Sequence, residues 1–498
     1  MKRREFLKKG SIGFTLPFWL QGCQVSAEEE YPVFLNSDLN TGHLLFNAKN
    51  WSRKRGRDVE VAIVGGGIAG LTAARKLGNA DFALFELSDR LGGSVGTDIH
   101  QGVEFSQGAH YDLAYPENFG SEVIELLEET RVIRYEPWTK SWNFTDRKHI
   151  VPYYRRQQCY DHGSRRKDVI PESRLKQQFV ELMLQFSGKM HLPTRLIDNS
   201  YHELNHVSFQ SFLESHLPLN EAFVRQIDYH MYDDYGGSSA MVSALAGIHY
   251  FACRPYYEQD VPLFSPPGGN KYFADVLMQG IDPARLKTSH LVKHISPNGN
   301  GYDLEVLNVA EEVIEEIRAD RVIYAGQKHA LKFIYPDQHQ LFQNDYSPWM
   351  VVNILTDQTL DEFGFWQNEF LGENEQFLGF IDSSVQNQDS LNGKRIFTGY
   401  YCLSPSDRAY LTTIVDAKKQ IAAETQNHIQ SMLQKKIQVD ACYIKVMGHA
   451  MPIPKPGYLF RDANQNPAAR MIYAGVDNGR LPLLFEALDS GLQAAELI

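Results

Sequence analysis

Between Asp58 and Val64 the chain reads Asp-Val-Glu-Val-Ala-Ile-Val, a short apolar run rich in β-branched residues. Such a run predicts a strand buried in a parallel sheet. Gly65-Gly66-Gly67-Ile68-Ala69-Gly70 follows at once, and Leu71–Leu77 then carries the spacing of a helix. Asp81–Glu86 predicts a second strand. Further on, Leu291–Ile295 and Tyr302–Val306 flank an Asn298–Gly301 turn, and Ala319–Gly326 returns as another strand. A helix-like stretch covers Lys271–Met278, Trp349–Ile354 reads as a strand, and the chain closes with a strand from Arg470 and a small-residue helix, Phe485–Ala495. Strand and helix signals alternate, so the pattern predicts an α/β fold.

The first strand–turn–helix unit has chemistry in its spacing. Gly65 permits a tight turn, Gly67 lets a pyrophosphate approach the backbone, and Gly70 lets helix and strand pack closely. The helix N-terminus supplies free N–H groups and a positive dipole end that favour phosphate, and Ile68, Ala69 and Gly70 are expected cofactor contacts. Glu86 ends the second strand sixteen residues after Gly70. A carboxylate there accepts hydrogen bonds from ribose hydroxyls and repels a ribose phosphate, which disfavours NADP.

The residues that follow bear a family resemblance. Glu86-Leu-Ser-Asp-Arg90-Leu-Gly92-Gly93 resembles the E-x-x-x-R-x-G-G motif of the superfamily of flavin amine oxidases, phytoene desaturases and protoporphyrinogen oxidases. The resemblance implies FAD, with Arg90, Gly92 and Gly93 approaching its diphosphate and flavin. Many amine oxidases place an arginine after the two glycines; here Ser94 stands there. Ala474-Gly475-Val-Asp477 resembles the superfamily's closing motif, which implies that Gly475 and Asp477 contact FAD and that the following helix points its N-terminus at the flavin. Gln107–Tyr111 and Pro266–Asn270 resemble two further flavin-side segments, and the backbone of Val292 is placed by resemblance against adenine. The implied architecture is a Rossmann-like FAD-binding domain of amine oxidase type, in three pieces (58–112, 261–345 and 441–498), interleaved with a mixed α+β substrate domain (113–260 and 346–440). No second glycine motif with a following acid appears. The implied electron acceptor is therefore oxygen, a quinone or a protein carrier.

The chain begins with a basic segment, Lys2, Arg3, Arg4, Lys8 and Lys9, followed by a short apolar run, Ser11–Leu20, broken by Pro17. That run is too short to span a bilayer and reads as a signal peptide, residues 1–22. Arg3-Arg4-Glu5-Phe6-Leu7-Lys8 resembles a twin-arginine export signal, and Leu20-Gln-Gly-Cys23 a lipoprotein cleavage box, with lipidated Cys23 as the expected membrane tether. Residues 23–57 are then an N-terminal extension, possible spacer to the lipid. The expected location is periplasmic or membrane-anchored. Export of an already folded protein suits a chain that completes its core around a cytoplasmic cofactor.

The full sequence has a net charge of −12, and loss of residues 1–22 takes it to −16. No basic block suited to nucleic acid is present. Cys159, Cys253, Cys402 and Cys442 are far apart, with no C-x-x-C and no metal motif; pairing among them is left open. Val446–Tyr458 holds no cysteine, so FAD is expected to be noncovalent, whereas some monoamine oxidases link it through a cysteine in that segment. Two catalytic candidates stand out. His449, just before the closing strand, is a possible base or substrate anchor. Tyr235 lies in Met231-Tyr-Asp233-Asp234-Tyr235, where acids could hold a cationic amine and tyrosines could form a cage. The lysine that amine oxidases use near flavin has no counterpart in Trp349–Ile354. His249–Phe251 with Arg254–Tyr257 reads as core packing, and Glu258, Asp260 and Glu311–Glu316 as solvated. The expected activity is oxidation of a C–N bond in a small substrate. Oxidation of C–C bonds in an apolar substrate and a noncatalytic FAD-stabilised role are the alternatives.

Overall fold

The structure is a computed structural model. It describes residues 31–498 except 37, 48, 153–156, 254–261, 340, 343, 359–365, 373–375, 384–393 and 467. The signal peptide, Cys23, Arg254–Tyr257, Glu258 and Asp260 lie outside the described residues.

Strand β3 (Val59–Val64) is buried at every position but Glu60, as a central parallel strand requires. It is flanked in parallel by β4 (Phe82–Phe85) and by β5 (Val313–Tyr324). Strand Leu286–Lys287 extends this sheet beyond β4, and Gly301–Asn308 and His290–Asn298 extend it antiparallel beyond β5. Strand Met471–Tyr473 pairs in parallel with the end of β5. Helix α2 (Ile68–Leu77) follows the glycine turn with Gly67 as its N-cap, and the closing helix α4 (Leu484–Glu496) lies directly on it. A Cβ on Gly491 would overlap the Ala69 carbonyl oxygen, so the small residue is a packing requirement between the two helices.

The second sheet is centred on β6 (Tyr346–Thr356), buried at all its positions. On one side β6 pairs with Arg395–Cys402, which leads through Phe377–Asp382 and Gln367–Leu371 to Gln157–Asp161 and Ser164–Arg166. On the other it pairs antiparallel with β7 (Ala441–Pro452). Helix α3 (Glu221–Tyr235) and helix Ala244–Cys253 contribute to the main apolar core. The architecture is thus a Rossmann-like dinucleotide fold interleaved with a mixed α+β region.

Two features depart from the boundaries drawn on the sequence. The boundary at 441 falls at the start of β7, which completes the second sheet; return to the dinucleotide sheet comes only at Met471–Tyr473. The extension read as a spacer carries β1 (Val33–Asn36), parallel to β7, a short helix α1 (Leu39–His43), and β2 (Ser52–Arg55), parallel to β5. β1 is only four residues long and β2 is wholly polar, so neither carries a periodic apolar signal and their pairing is not visible locally. Among the described residues no helix is long and apolar enough to cross a membrane. Cys159, Cys253, Cys402 and Cys442 are buried.

Candidate active site

A cavity of about 1250 Å³ begins at the C-terminal ends of β3 and β4 and continues to the face of the second sheet. The glycine turn forms its first wall, and each glycine has a separate task. Gly65 has φ +106°, and a Cβ there would press on Gly326 N. A Cβ on Gly70 would overlap the Gly65 carbonyl oxygen. A Cβ on Gly67 would meet no protein atom within 4 Å, because that position faces the cavity. Bare backbone at the N-terminus of α2, open only toward the cavity, fits a dinucleotide phosphate.

Glu86 lines the same wall. One carboxylate oxygen accepts from Gly66 N at 2.7 Å and the other from Ser88 N at 2.8 Å, which fixes its orientation while leaving lone pairs for ribose. Burial pushes its carboxyl upward against those hydrogen bonds. Gly92 N donates to Gly66 O at 2.8 Å, and Gly93 packs on Gly67, so the second glycine pair is braced against the first. Arg90 lines the cavity and donates to Thr97 O at 2.7 Å. Ile68, Ala69, Gly92, Gly93, Val292, Gly475 and Asp477 also line it, and Gly70 does not. At the far side the wall includes Leu483, Leu484 and Ala487, so the N-terminus of α4 opens on the cavity. These residues fit FAD.

Asp477 has an additional task. Its carboxylate accepts from Lys328 Nζ at 2.9 Å, Lys328 N at 2.8 Å and Tyr346 Oη at 3.0 Å. Lys328 is fully buried and also donates to Ala474 O. This pair ties the turn after β5 to the Gly475 segment.

Beyond this region the wall becomes aromatic. Tyr229, Trp349 and Tyr400 line it, with Trp349 and Tyr400 edge to face at 6.0 Å. Tyr400 Oη donates to Gly108 O at 2.8 Å and Tyr229 Oη to Leu378 O at 2.6 Å. Burial, with the charge of Asp233, holds the Tyr400 phenol well above its ordinary range, so it stays neutral. Asp233 and Asp234, on the last turn of α3, reach the same wall. The segments Gln107–Tyr111 and Pro266–Asn270 meet each other here: Asn270 N donates to Ala109 O at 2.7 Å.

A model of the family described as flavin containing amine oxidoreductase matches residues 68–498. The chain belongs to this family. It is an FAD-dependent oxidoreductase. Polyamine oxidase 5 of Oryza sativa subsp. japonica is 49% identical over 53 residues, a match that spans 10% of this chain and 11% of that protein. Putrescine oxidase bound to putrescine superposes with a TM-score of 0.61 at 15% identity, covering 89% of this chain and 99% of that one. Cyclohexylamine oxidase from Brevibacterium oxydans IH-35A gives 0.60 at 15%, covering 88% and 98%. At these identities the two superpositions speak for the fold.

In this amine oxidoreductase family member, the two catalytic candidates separate. His449 lines the cavity. Tyr235 does not: it is 1% exposed in the apolar core, with its ring 6.0 Å from Tyr250, because the helix turns it to the side opposite the cavity-facing acids. Its neighbours Asp233 and Asp234 are the residues of that segment that reach the wall. Three partners of the site escaped the sequence reading. His329 stacks on His449, Lys328 holds Asp477, and Arg408 lines the cavity while donating to Gly448 O and Tyr346 O, both at 2.7 Å. Each lies at least 40 residues from its partner, so no local spacing signalled it. Within Trp349–Ile354, which holds no lysine, Val351 stands opposite Lys445 on β7; Lys445 lines the cavity and pairs with Asp38 at 3.3 Å.

Proposed function

We propose that this oxidoreductase oxidises the C–N bond of a small cationic amine, with FAD held noncovalently. The observation that carries the reading is the pairing of Asp233 and Asp234 with Tyr229, Trp349 and Tyr400 on one cavity wall. Carboxylates attract an ammonium group, and the faces of buried aromatic rings favour it further. A diamine can be held by one nitrogen at the acids while its other C–N bond is presented to the flavin. FAD, when bound, supplies the hydride acceptor. The protein orients the amine and excludes water through the buried aromatic wall. The amine substrates named for putrescine oxidase and cyclohexylamine oxidase support the choice of probe.

The test is anaerobic addition of putrescine, spermidine and cyclohexylamine to the purified holoenzyme. Bleaching of the oxidised flavin absorbance is expected with at least one of them. Flavin that stays oxidised with all three would turn the reading toward C–C oxidation. Acid precipitation should release the flavin into the supernatant, as noncovalent binding requires.

The same proposal places the enzyme outside the cytoplasm. The twin-arginine-like leader and the Cys23 box support an exported, lipid-tethered protein that passes electrons to oxygen, a quinone or a protein carrier. Fractionation of cells carrying the full chain, with Cys23→Ala as comparison, tests the tether: the variant should move from membrane to soluble fraction.

A further inference from the structure

The family match begins at residue 68, and the segment before it crosses the cofactor cavity. β1 is hydrogen-bonded to the edge of the second sheet at β7, and β2 to β5 in the dinucleotide sheet. Between these two anchors, Leu35, Asn36, Asp38, His43, Leu45 and Phe46 line the cavity. Leu45 packs against the apolar cluster that includes Val292, and Leu44, Leu45 and Leu87 pack against the cluster that includes Leu291, so this span packs against the sheet that carries Glu86 and Val292. Lys293 Nζ donates to Leu44 O there, and the charge of Asp38 is felt at Glu86. At its other end Asn36 Nδ2 donates to Asp98 Oδ1 at 2.5 Å, and Asp98 lies 3.7 Å from Arg90.

The anchoring is unequal. β2 is fully exposed along its length and α1 has no buried residue, so neither contributes to a core. Besides its backbone pairing with β5, β2 is held by a surface ladder: Arg53 to Glu305 at 2.8 Å and Glu316 at 2.9 Å, and Lys54 to Glu311 at 2.6 Å and Glu315 at 3.1 Å. Exposed pairs are individually weak, and a segment with few buried contacts opens without unfolding the rest.

We propose that the described residues between Val33 and Arg55 form a strap that is the outer wall of the FAD site, docking across the adenosine end of the cofactor and controlling how fast it leaves. The acids of Glu311–Glu316, which a sequence reading assigns to solvent, are the receptor for the strap's basic strand. The inference concerns retention of FAD and stands whichever amine is oxidised.

Two variants of the full-length holoenzyme test it in opposite directions, with FAD release followed by the rise in flavin fluorescence on dilution. Reversing the ladder with Arg53→Glu and Lys54→Glu should speed release by about tenfold, with hydrogen exchange rising in residues 33–55 and not in β6. Lys54→Cys with Glu315→Cys, directly opposite in register, should form a disulfide that slows release by about tenfold until a reductant is added. Release at the wild-type rate in both variants, with β2 seen to detach in the first and the disulfide present in the second, would overturn the proposal.

Discussion

The imidazole rings of His329 and His449 lie face to face, 3.5 Å between centroids and 10° from parallel. Two stacked rings this close cannot both carry charge. Burial lowers the His329 pKa to about 4, and burial together with His329 lowers that of His449 to about 3. Both rings are neutral at pH 7, so His449 is not a general acid in the resting site.

The pair makes stability pH-dependent with a definite sign. In the unfolded chain each imidazole takes up a proton near pH 6.5, while in the folded chain His329 resists until about pH 4 and His449 until about pH 3. The unfolded state therefore binds more protons in this window, and stability present above pH 6.5 is lost as pH falls toward 4. His329→Gln should lose less: between pH 7 and 4.5 its thermal midpoint should drop about 3 °C less than that of the wild type. Parallel melting curves at several pH values read this out, and identical slopes would remove the pair from the account.

Gly67 and Gly70 should respond in opposite ways to one methyl group. Gly67 has φ −75° and open space at its Cβ, so Gly67→Ala should fold normally and lose FAD affinity by about tenfold or more, by intruding on the phosphate position. Gly70→Ala meets the Gly65 carbonyl and should cost about 1–3 kcal/mol of stability by overpacking. FAD titration and chemical denaturation of the two proteins separate the effects.

Lys328 and Asp477 are buried together, with the lysine fully enclosed. Lys328→Met leaves the carboxylate without its cation and should destabilise the protein by about 3–5 kcal/mol. Adding Asp477→Asn to that variant should recover part of the loss, since the orphaned charge is then gone. Denaturant midpoints of the two variants and the wild type give the comparison.

Asp233→Asn and Asp234→Asn should leave FAD absorbance unchanged and raise KM for putrescine by about tenfold or more, each tenfold being about 1.4 kcal/mol. Cyclohexylamine, with one nitrogen, should be affected less. Steady-state rates with both amines decide it. Equal effects on both substrates would place the acids' influence at the reacting nitrogen.

The dinucleotide half of the site was legible because its chemistry is local. Gly65, Gly67, Gly70 and Glu86 lie within 22 residues, and a tight turn, a bare helix N-terminus and a strand-end acid each demand one residue type at one spacing. The same holds for Gly92 and Gly93 and for the run ending at Gly475. Asp233 and Asp234 could be named from sequence, but not set apart from Tyr235, because which side of the final turn of α3 meets the cavity depends on what α3 packs against. The stacking of His449 on His329, the burial of Lys328 beside Asp477, and the facing of Val351 by Lys445 arise from strands and turns that only chain folding brings together. The strap is the clearest case: Val33–Asn36 is too short to carry an apolar period and Ser52–Arg55 is wholly polar, and both become strands because β7 and β5 offer edges to pair with. Local sequence thus determined where backbone must turn and which groups face a phosphate or ribose. Tertiary structure decided which distant side chains share the cavity, because burial and edge pairing belong to the whole assembly and to no single segment.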